Sequence, residues 1–251
     1  MIRMILHGCN GTMGQVVSSL VKEDPEIQIV AGVDLNTEKK NDYPVYASWD
    51  ACKEEADVVV DFAFMKAVDA LLDHCALKQL PVVVCTTGLT KEQIAKVEET
   101  AKKTAVLRSA NMSLGINLLL KLVADAAKVL AESGFDMEIV EKHHNQKKDA
   151  PSGTALALAD SLNHALDDSY HYVYDRSQSH EKRDEKEIGI SAVRGGSIVG
   201  EHDVIFAGTD EVVTFSHTAY SKAIFAKGAI AAAKYLAGKP AGFYTMKDVI
   251  G

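Results

Sequence analysis

Short apolar runs alternate with amphipathic segments through the first half of the chain. The runs DVVVDF (57–62) and VVVC (82–85) are short and rich in β-branched residues, which is typical of buried strands. The segments between them have helical spacing; in 14–23 the apolar face consists of Val16, Val17, Leu20 and Val21. Strands that alternate with helices of about 10 to 15 residues predict a parallel sheet with helices on both faces.

The elements predicted for this half are strands at 3–7, 28–34, 57–62, 81–86 and 105–109, with helices at 14–23, 66–78 and 91–103. The pattern changes near Asn111. The elements predicted beyond it are a helix at 114–131, a strand at 136–141, a helix at 154–166, a surface loop at 167–186, antiparallel strands at 188–193, 200–207 and 211–218, and a final helix at 224–236. The predicted fold class is therefore α/β, with an N-terminal Rossmann-like dinucleotide-binding domain and a second α+β domain.

The composition disfavours two classes of binding partner, nucleic acids and anionic membranes. The 27 basic and 35 acidic side chains give a formal net charge of −8, which disfavours general binding to nucleic acid or to an anionic membrane. The chain starts directly in a predicted strand, without a charged region and an apolar stretch of the signal-peptide type. No apolar run reaches the roughly 18 residues that span a bilayer. We expect a cytoplasmic protein.

The four cysteines are spread along the first 85 residues as Cys9, Cys52, Cys75 and Cys85. They form no CxxC pair, and no histidine cluster lies beside them at the spacing of zinc ligands. We expect reduced thiols and no metal site.

A glycine-rich turn lies between the first strand and the first helix. Gly8, Gly11 and Gly14 have the spacing GxxGxxG, with Asn10 where the dinucleotide motif has its second glycine. Glycines allow a tight turn and a close approach of backbone N–H groups to a pyrophosphate, and the helix that follows presents its positive end. The turn predicts a dinucleotide site; the alternative is a purely structural βα turn.

Asp34 ends the second strand, where an acidic residue commonly binds the adenosine ribose hydroxyls and disfavours a 2′-phosphate. No arginine is adjacent to it, although Lys39 and Lys40 could reach such a phosphate or belong to a solvated loop. We predict that the cofactor is NADH or NADPH, with NADH favoured. Two further segments at strand ends have small or polar residues suited to a cofactor, at 85–88 and 109–112.

The stretch EKHHNQKKDAPSGTALALAD (141–160) carries the candidate chemistry. Histidines can transfer protons near neutral pH, and lysines supply positive charge. Ser152, Gly153 and Thr154 lie at a helix start, where free N–H groups and the helix dipole favour a carboxylate. Each histidine alone could be an ordinary polar residue, and the serine an ordinary helix cap. Together they predict a site for a small dicarboxylate beside an acid/base.

HHNQKKDAPSGTA resembles the signature of the dihydrodipicolinate reductases, also described as 4-hydroxy-tetrahydrodipicolinate reductases. The resemblance extends over nearly the whole chain, through GCNGTMG, VVVCTTGL, SANMSLGIN, RGGSIVGEH and the tail from 217 to 236. It implies NAD(P)H-dependent reduction of 4-hydroxy-tetrahydrodipicolinate, with loss of water, in the diaminopimelate route to lysine. It also implies a homotetramer and a final helix that rejoins the nucleotide domain. The implied domains are 1–113 with 222–251, and 114–221 for substrate binding and oligomerisation.

The resemblance also implies roles for individual residues. His143 is the implied acid/base and Lys147 the implied proton donor, and substrate binding falls to His144, Gly153 and Thr154. The implied cofactor residues are Gly8, Cys9, Asn10, Gly11, Thr12, Met13, Asp34, Cys85, Thr86, Thr87, Ser109, Ala110, Asn111 and Met112.

The chain departs from the family pattern at three positions. Thr12 stands where a basic residue is frequent, which weakens the case for NADPH, and Cys85 replaces a frequent glycine. Lys222 stands where arginine is usual, which affects the expected hinge or cofactor contact there.

Two other functions fit parts of the sequence. One is a different dehydrogenase of similar architecture, of which the semialdehyde type needs a nucleophilic cysteine that 141–160 lacks. The other is a regulator that binds NAD(H) without chemistry, for which the histidine and lysine loop would have no use.

Overall fold

The structure is a computed structural model that describes residues 1–39, 41–177 and 179–251. Lys40, a candidate for contact with a 2′-phosphate, and Gln178, in the predicted 167–186 loop, lie outside the described residues. The chain divides into two compact units. Unit 1 comprises Met1–Leu114 and Ala223–Gly251, and unit 2 comprises Gly115–Lys222.

In the part of the chain that the structure describes, unit 1 contains a sheet of seven parallel strands in the order β12-β6-β5-β4-β1-β2-β3. Its elements are β1 (Ile2–His7), α1 (Thr12–Val21), β2 (Ile27–Val33), β3 (Val45–Tyr46), β4 (Val58–Asp61), α2 (Val68–Lys78), β5 (Val82–Val84), α3 (Lys91–Ala101), β6 (Ala105–Arg108), α6 (Ala223–Leu236), β12 (Gly242–Tyr244) and α7 (Met246–Ile250). The strand order reverses at β1, which is where dinucleotides bind in such sheets. The predicted α/β class is confirmed.

Two apolar layers bury this sheet, because its central strands carry apolar side chains on both faces. One layer packs α1 and α6 against one set of strand residues, and the other packs α2, α3 and Trp49 against the alternate set. Gly228 in α6 allows the helix to approach closely, since a Cβ there would lie 1.6 Å from the Met112 carbonyl oxygen. The helix predicted at 224–236, α6, therefore belongs to the core of unit 1.

Unit 2 contains a mixed sheet in the order β11-β10-β7-β9-β8. Its elements are α4 (Leu114–Leu130, whose first residue belongs to unit 1), β7 (Asp136–His143), α5 (Gly153–His164), β8 (His171–Val173), β9 (Glu187–Arg194), β10 (Gly200–Ala207) and β11 (Val212–Ala219). The core is formed by α4 and α5 against one face of the sheet. On β7 buried residues alternate with partly exposed ones, as expected for a strand with one covered face.

The predicted pairing of the last strands is wrong at 188–193. We predicted antiparallel strands at 188–193 and 200–207 joined by a turn, which implies neighbours. β9 does run antiparallel to β10, but it pairs in parallel with β7 and β8, and β7 lies between β9 and β10. A short turn sequence cannot show that another strand is inserted between the two it connects. The predicted 167–186 loop also contains β8, and β3, β12 and α7 were not predicted.

Among the described residues, no helix is both long and apolar enough to cross a membrane.

Candidate functional site

The glycine turn in unit 1 is shaped by its neighbours. Gly8 has φ +76°, and a Cβ there would lie 2.8 Å from the backbone of Phe62 and Ala63. A Cβ on Gly14 would lie 2.2 Å from the Gly8 carbonyl oxygen. Only glycine fits at these two positions without a steric clash, and its small size lets α1 pack directly against the turn.

The N-terminus of α1 suits an anionic ligand. Gly11 is the N-cap residue and supplies no side-chain hydrogen bond, and the first turn contains no acidic residue. By contrast, Thr90 caps α3 with its side chain. An uncapped helix start beside a glycine turn fits the pyrophosphate of a dinucleotide.

Asp34 lies against this turn. Its Oδ2 accepts a hydrogen bond from the Asn10 backbone N–H at 2.9 Å, and its Oδ1 accepts one from the Asn36 N–H at 2.9 Å. Asn41 Nδ2 donates to Asn10 Oδ1 at 2.8 Å, which links the loop after β2 to the glycine turn. Lys39 is exposed in the same loop.

The other predicted cofactor residues differ in what they can offer. Cys9 is fully buried, and burial raises the pKa of its thiol to about 12, so only its backbone can serve a ligand. Thr12, Thr87 and Ala110 are exposed, and Ser109 Oγ accepts a hydrogen bond from the Met246 N–H at 2.6 Å. The segments 85–87 and 109–112 follow β5 and β6, at the same sheet edge as the glycine turn, which follows β1.

A buried polar network at this edge was not identified from the sequence. Asp61, fully buried at the end of β4, accepts a hydrogen bond from Thr86 Oγ1 at 2.6 Å, and its Oδ1 lies 2.8 Å from His7 Nδ1. It therefore ties together the ends of three adjacent strands, β1, β4 and β5. An acidic residue at the end of the apolar run VVV was the available signal. Trp49 packs on His7, with ring centroids 5.1 Å apart.

The cysteines do not provide a nucleophile. Cys9, Cys52 and Cys75 are buried, and burial raises the pKa of all three thiols and that of Cys85. A neutral thiol is a weak nucleophile. This disfavours the semialdehyde type of dehydrogenase.

Among the described residues, no group of three or more His, Cys, Asp or Glu side chains could hold a metal ion.

His143 lies at the end of β7 in unit 2 and contacts a buried carboxylate. Its Nδ1 lies 2.6 Å from Glu141 Oε2, and its side chain is only 11% exposed. Glu141 and His143 are two residues apart on one strand, so their side chains share a face of the sheet. Arg194 on β9 donates to both Glu141 oxygens, at 2.7 Å each. Sequence reasoning assigned no role to Glu141 or Arg194, although the spacing of Glu141 was a usable signal.

Ser152 caps α5 and joins the same network. Its Oγ accepts a hydrogen bond from the Ala155 N–H at 3.1 Å, and its own N–H donates to Glu141 Oε1 at 2.9 Å. Ser152 Oγ also lies 3.0 Å from Nε2 of the buried His202. Burial lowers the pKa of His202 to about 4, so this ring is neutral at pH 7. The structure thus brings the predicted histidine to the predicted helix start.

Lys147 lies in the loop between these two features. Its Nζ contacts both carboxylate oxygens of Asp149, at 2.8 and 2.9 Å, and this pair lowers the pKa of Asp149. Gly153 is exposed, and a Cβ there would meet no atom of the described residues within 4 Å. Its backbone N–H contacts the Asp149 carboxylate, which also helps to lower the pKa of Asp149. His144 and Thr154 are partly exposed. All five predicted residues therefore lie on the loop 143–154 or at its ends.

Comparison with known proteins identifies the family of the chain. Residues 2–112 match the family model described as dihydrodipicolinate reductase, N-terminus, and residues 115–250 match the model described as dihydrodipicolinate reductase, C-terminus. A dihydrodipicolinate reductase from Paenisporosarcina sp. TG-14, solved with dipicolinate bound, has a similar fold, with a TM-score of 0.83 and 24% identity over 100% of both chains.

Two relatives are similar in sequence along almost their whole length. The 4-hydroxy-tetrahydrodipicolinate reductase of Caldanaerobacter subterraneus subsp. tengcongensis is 57% identical over 250 residues, which cover 100% of this chain and 98% of the relative. That of Clostridium tetani is 48% identical over 246 residues, which cover 98% and 96%. These matches confirm the family resemblance and the prediction of an oxidoreductase. The chain belongs to the dihydrodipicolinate reductase family.

Proposed function

We propose that this protein reduces 4-hydroxy-tetrahydrodipicolinate to tetrahydrodipicolinate with NAD(P)H, in the diaminopimelate route to lysine. In the balanced reaction a hydride and a proton enter the substrate and water leaves it. The observation that carries the proposal is the pairing of His143 with Glu141 beside the start of α5. The relatives named for this reaction support it.

The two units divide the work in this proposal. Residues 1–113 with 222–251 hold the cofactor, and residues 114–221 hold the substrate. The uncapped start of α1 receives the pyrophosphate, with Asp34 at the adenosine ribose. The remaining cofactor contacts come from 8–13, 85–87 and 109–112. When bound, the nicotinamide supplies the hydride.

In unit 2, positive charge and the α5 N-terminus bind the carboxylates of the substrate. Lys147 and Lys148 supply the charge, and the backbone of Gly153 and Thr154 supplies N–H donors. Substrate has to displace Asp149 from Lys147 and from the Gly153 N–H, since both contact the Asp149 carboxylate in this structure. His144 adds a further polar contact. His143 exchanges a proton through Nε2, and Lys147 is the proposed proton donor.

A coupled assay tests the reaction. The upstream synthase supplies the substrate from pyruvate and aspartate semialdehyde, and the loss of NADH or NADPH absorbance is followed after this protein is added. We expect oxidation that requires both proteins. If no cofactor is consumed while NADH still binds, the proposal is wrong and a binding regulator is favoured.

We further propose that NADH is the preferred cofactor, because both Asp34 oxygens accept backbone hydrogen bonds that hold the carboxylate at the turn. A carboxylate there repels a 2′-phosphate. Asp34→Ala should raise kcat/KM for NADPH relative to NADH by about tenfold, which corresponds to about 1.4 kcal/mol. Asp42→Ala, an exposed change further along the same connection, is the control. Strong selectivity of the wild-type protein for NADPH would contradict the assignment.

The resemblance further supports a homotetramer in the cytoplasm. Unit 2 exposes apolar side chains that a subunit interface could cover; they are Val193, Val199, Val212 and Tyr220.

A further inference from the structure

Glu141 contacts two functional parts of unit 2 at once. Its Oε2 lies 2.6 Å from His143 Nδ1, and its Oε1 accepts the Ser152 N–H at 2.9 Å, at the cap of α5. We propose that Glu141 is a positioning residue that sets the orientation of the His143 imidazole and the place of the α5 N-terminus together. The inference rests on the proposed function, in which these two parts transfer the proton and bind a substrate carboxylate.

The carboxylate is charged although it is fully buried. Burial by itself would raise the pKa of Glu141, but the hydrogen bonds from Arg194, His143 and the Ser152 N–H outweigh it and lower that pKa. The two contacts with Arg194 form a bidentate, charge-assisted pair, which is stronger than neutral hydrogen bonds. Glu141 is therefore a fixed anion at neutral pH.

A fixed anion at Nδ1 selects one form of the imidazole. Glu141 can only accept a hydrogen bond, so Nδ1 carries the proton and Nε2 is left for chemistry. A Cβ on Gly200 would lie 3.1 Å from that Nε2, so glycine at this position leaves room at the reactive nitrogen. His202 lies edge-on to His143 with centroids 5.1 Å apart, but it is neutral at pH 7 and does not compete for the anion.

The other carboxylate oxygen fixes the helix start. Ser152 is held by Glu141 through its N–H and by His202 through its Oγ, and both partners are buried. Gly153 and Thr154 follow it directly, so their backbone N–H groups move if Ser152 moves. Arg194 also donates to the Asp149 carbonyl oxygen at 2.5 Å, which anchors the loop ahead of the helix. One charged pair thus positions the base and the carboxylate-binding backbone.

Glu141→Gln tests this coupling, because the amide has nearly the same shape without the charge. We expect kcat in the coupled assay to fall about 100-fold and KM for the substrate to rise about tenfold. The Kd for NADH, measured by NADH fluorescence, should stay within about twofold, since unit 1 is unchanged. Glu132→Gln, an exposed change in the same unit, should match wild type in all three values.

A double variant separates the two effects. In a His143→Gln background, Glu141→Gln should cause no further loss of kcat, because Glu141 acts on the proton only through His143, but it should still raise KM through Ser152. Losses of kcat that multiply in the double variant would overturn the inference.

Glu141→Gln leaves the Arg194 charge without its partner and can prevent folding. Glu141→Asp keeps that charge pair but withdraws the carboxylate by one methylene, and we expect it to fold and to lose about tenfold in kcat. Wild-type kcat and KM in the Glu141 variants, with turnover lost in His143→Gln, would overturn the inference alone. Wild-type turnover in His143→Gln would instead overturn the proposed function of the imidazole.

Discussion

His143→Gln should lower kcat by about 10²- to 10⁴-fold, the range that general acid–base groups contribute. The physical reason is that glutamine can occupy the place of the imidazole and still hydrogen-bond Glu141, but it cannot exchange a proton near neutral pH. The coupled assay measures kcat, and circular dichroism confirms that the variant is folded.

A matched histidine variant controls for this effect. His164→Gln changes an exposed histidine in the last turn of α5 that is paired with Asp168, and it should keep wild-type kcat. If His143→Gln also keeps wild-type kcat while folded, His143 is not the acid/base and the proposed mechanism is wrong.

Gly14→Ala should destabilise the protein by about 3 kcal/mol or more and lower its affinity for NADH at least about tenfold. Alanine normally favours a helix over glycine, by about 1 kcal/mol. Here the added Cβ would lie 2.2 Å from the Gly8 carbonyl oxygen and 2.6 Å from Cys9 backbone atoms, so the glycine turn has to move. Urea unfolding measures the stability, and NADH fluorescence measures the affinity.

Ser19→Ala is the control for Gly14→Ala, because it places alanine at an exposed position of the same helix. We expect it to change neither quantity. If Gly14→Ala binds NADH as wild type does, the turn does not approach the cofactor and the assigned pyrophosphate site is wrong.

The sequence was sufficient for features that depend on neighbouring residues. Alternating strands and helices predicted the parallel sheet of unit 1. The glycine spacing predicted a tight turn, and the structure has one in which the backbone of Phe62 and the carbonyl of Gly8 leave no room for a Cβ at Gly8 and Gly14. The helix after Ser152 begins at Gly153, with Ser152 as its cap, because a serine oxygen beside free N–H groups is a local interaction.

Contacts between residues that are distant along the chain could not be predicted from the sequence. Arg194 lies 53 residues from Glu141 along the chain, and it meets that carboxylate only because β9 pairs in parallel with β7. His202 meets Ser152 because β10 lies on the other side of β7. The pairing of 188–193 with 200–207 was wrong for the same reason, since the order of strands in a sheet depends on contacts between segments that are distant along the chain.

By itself, the sequence determined the family, the class of fold and the loop that carries the candidate chemistry, because these follow from local spacing and short motifs. Only the tertiary structure decided which hydrogen-bond partners each candidate side chain has. It placed Asp34 against Asn10 and Glu141 against His143, Arg194 and Ser152. The physical reason is that a buried charge is stable only when it is paired, and its partners lie on strands that are distant in sequence. Which strands are adjacent depends on the packing of the whole chain.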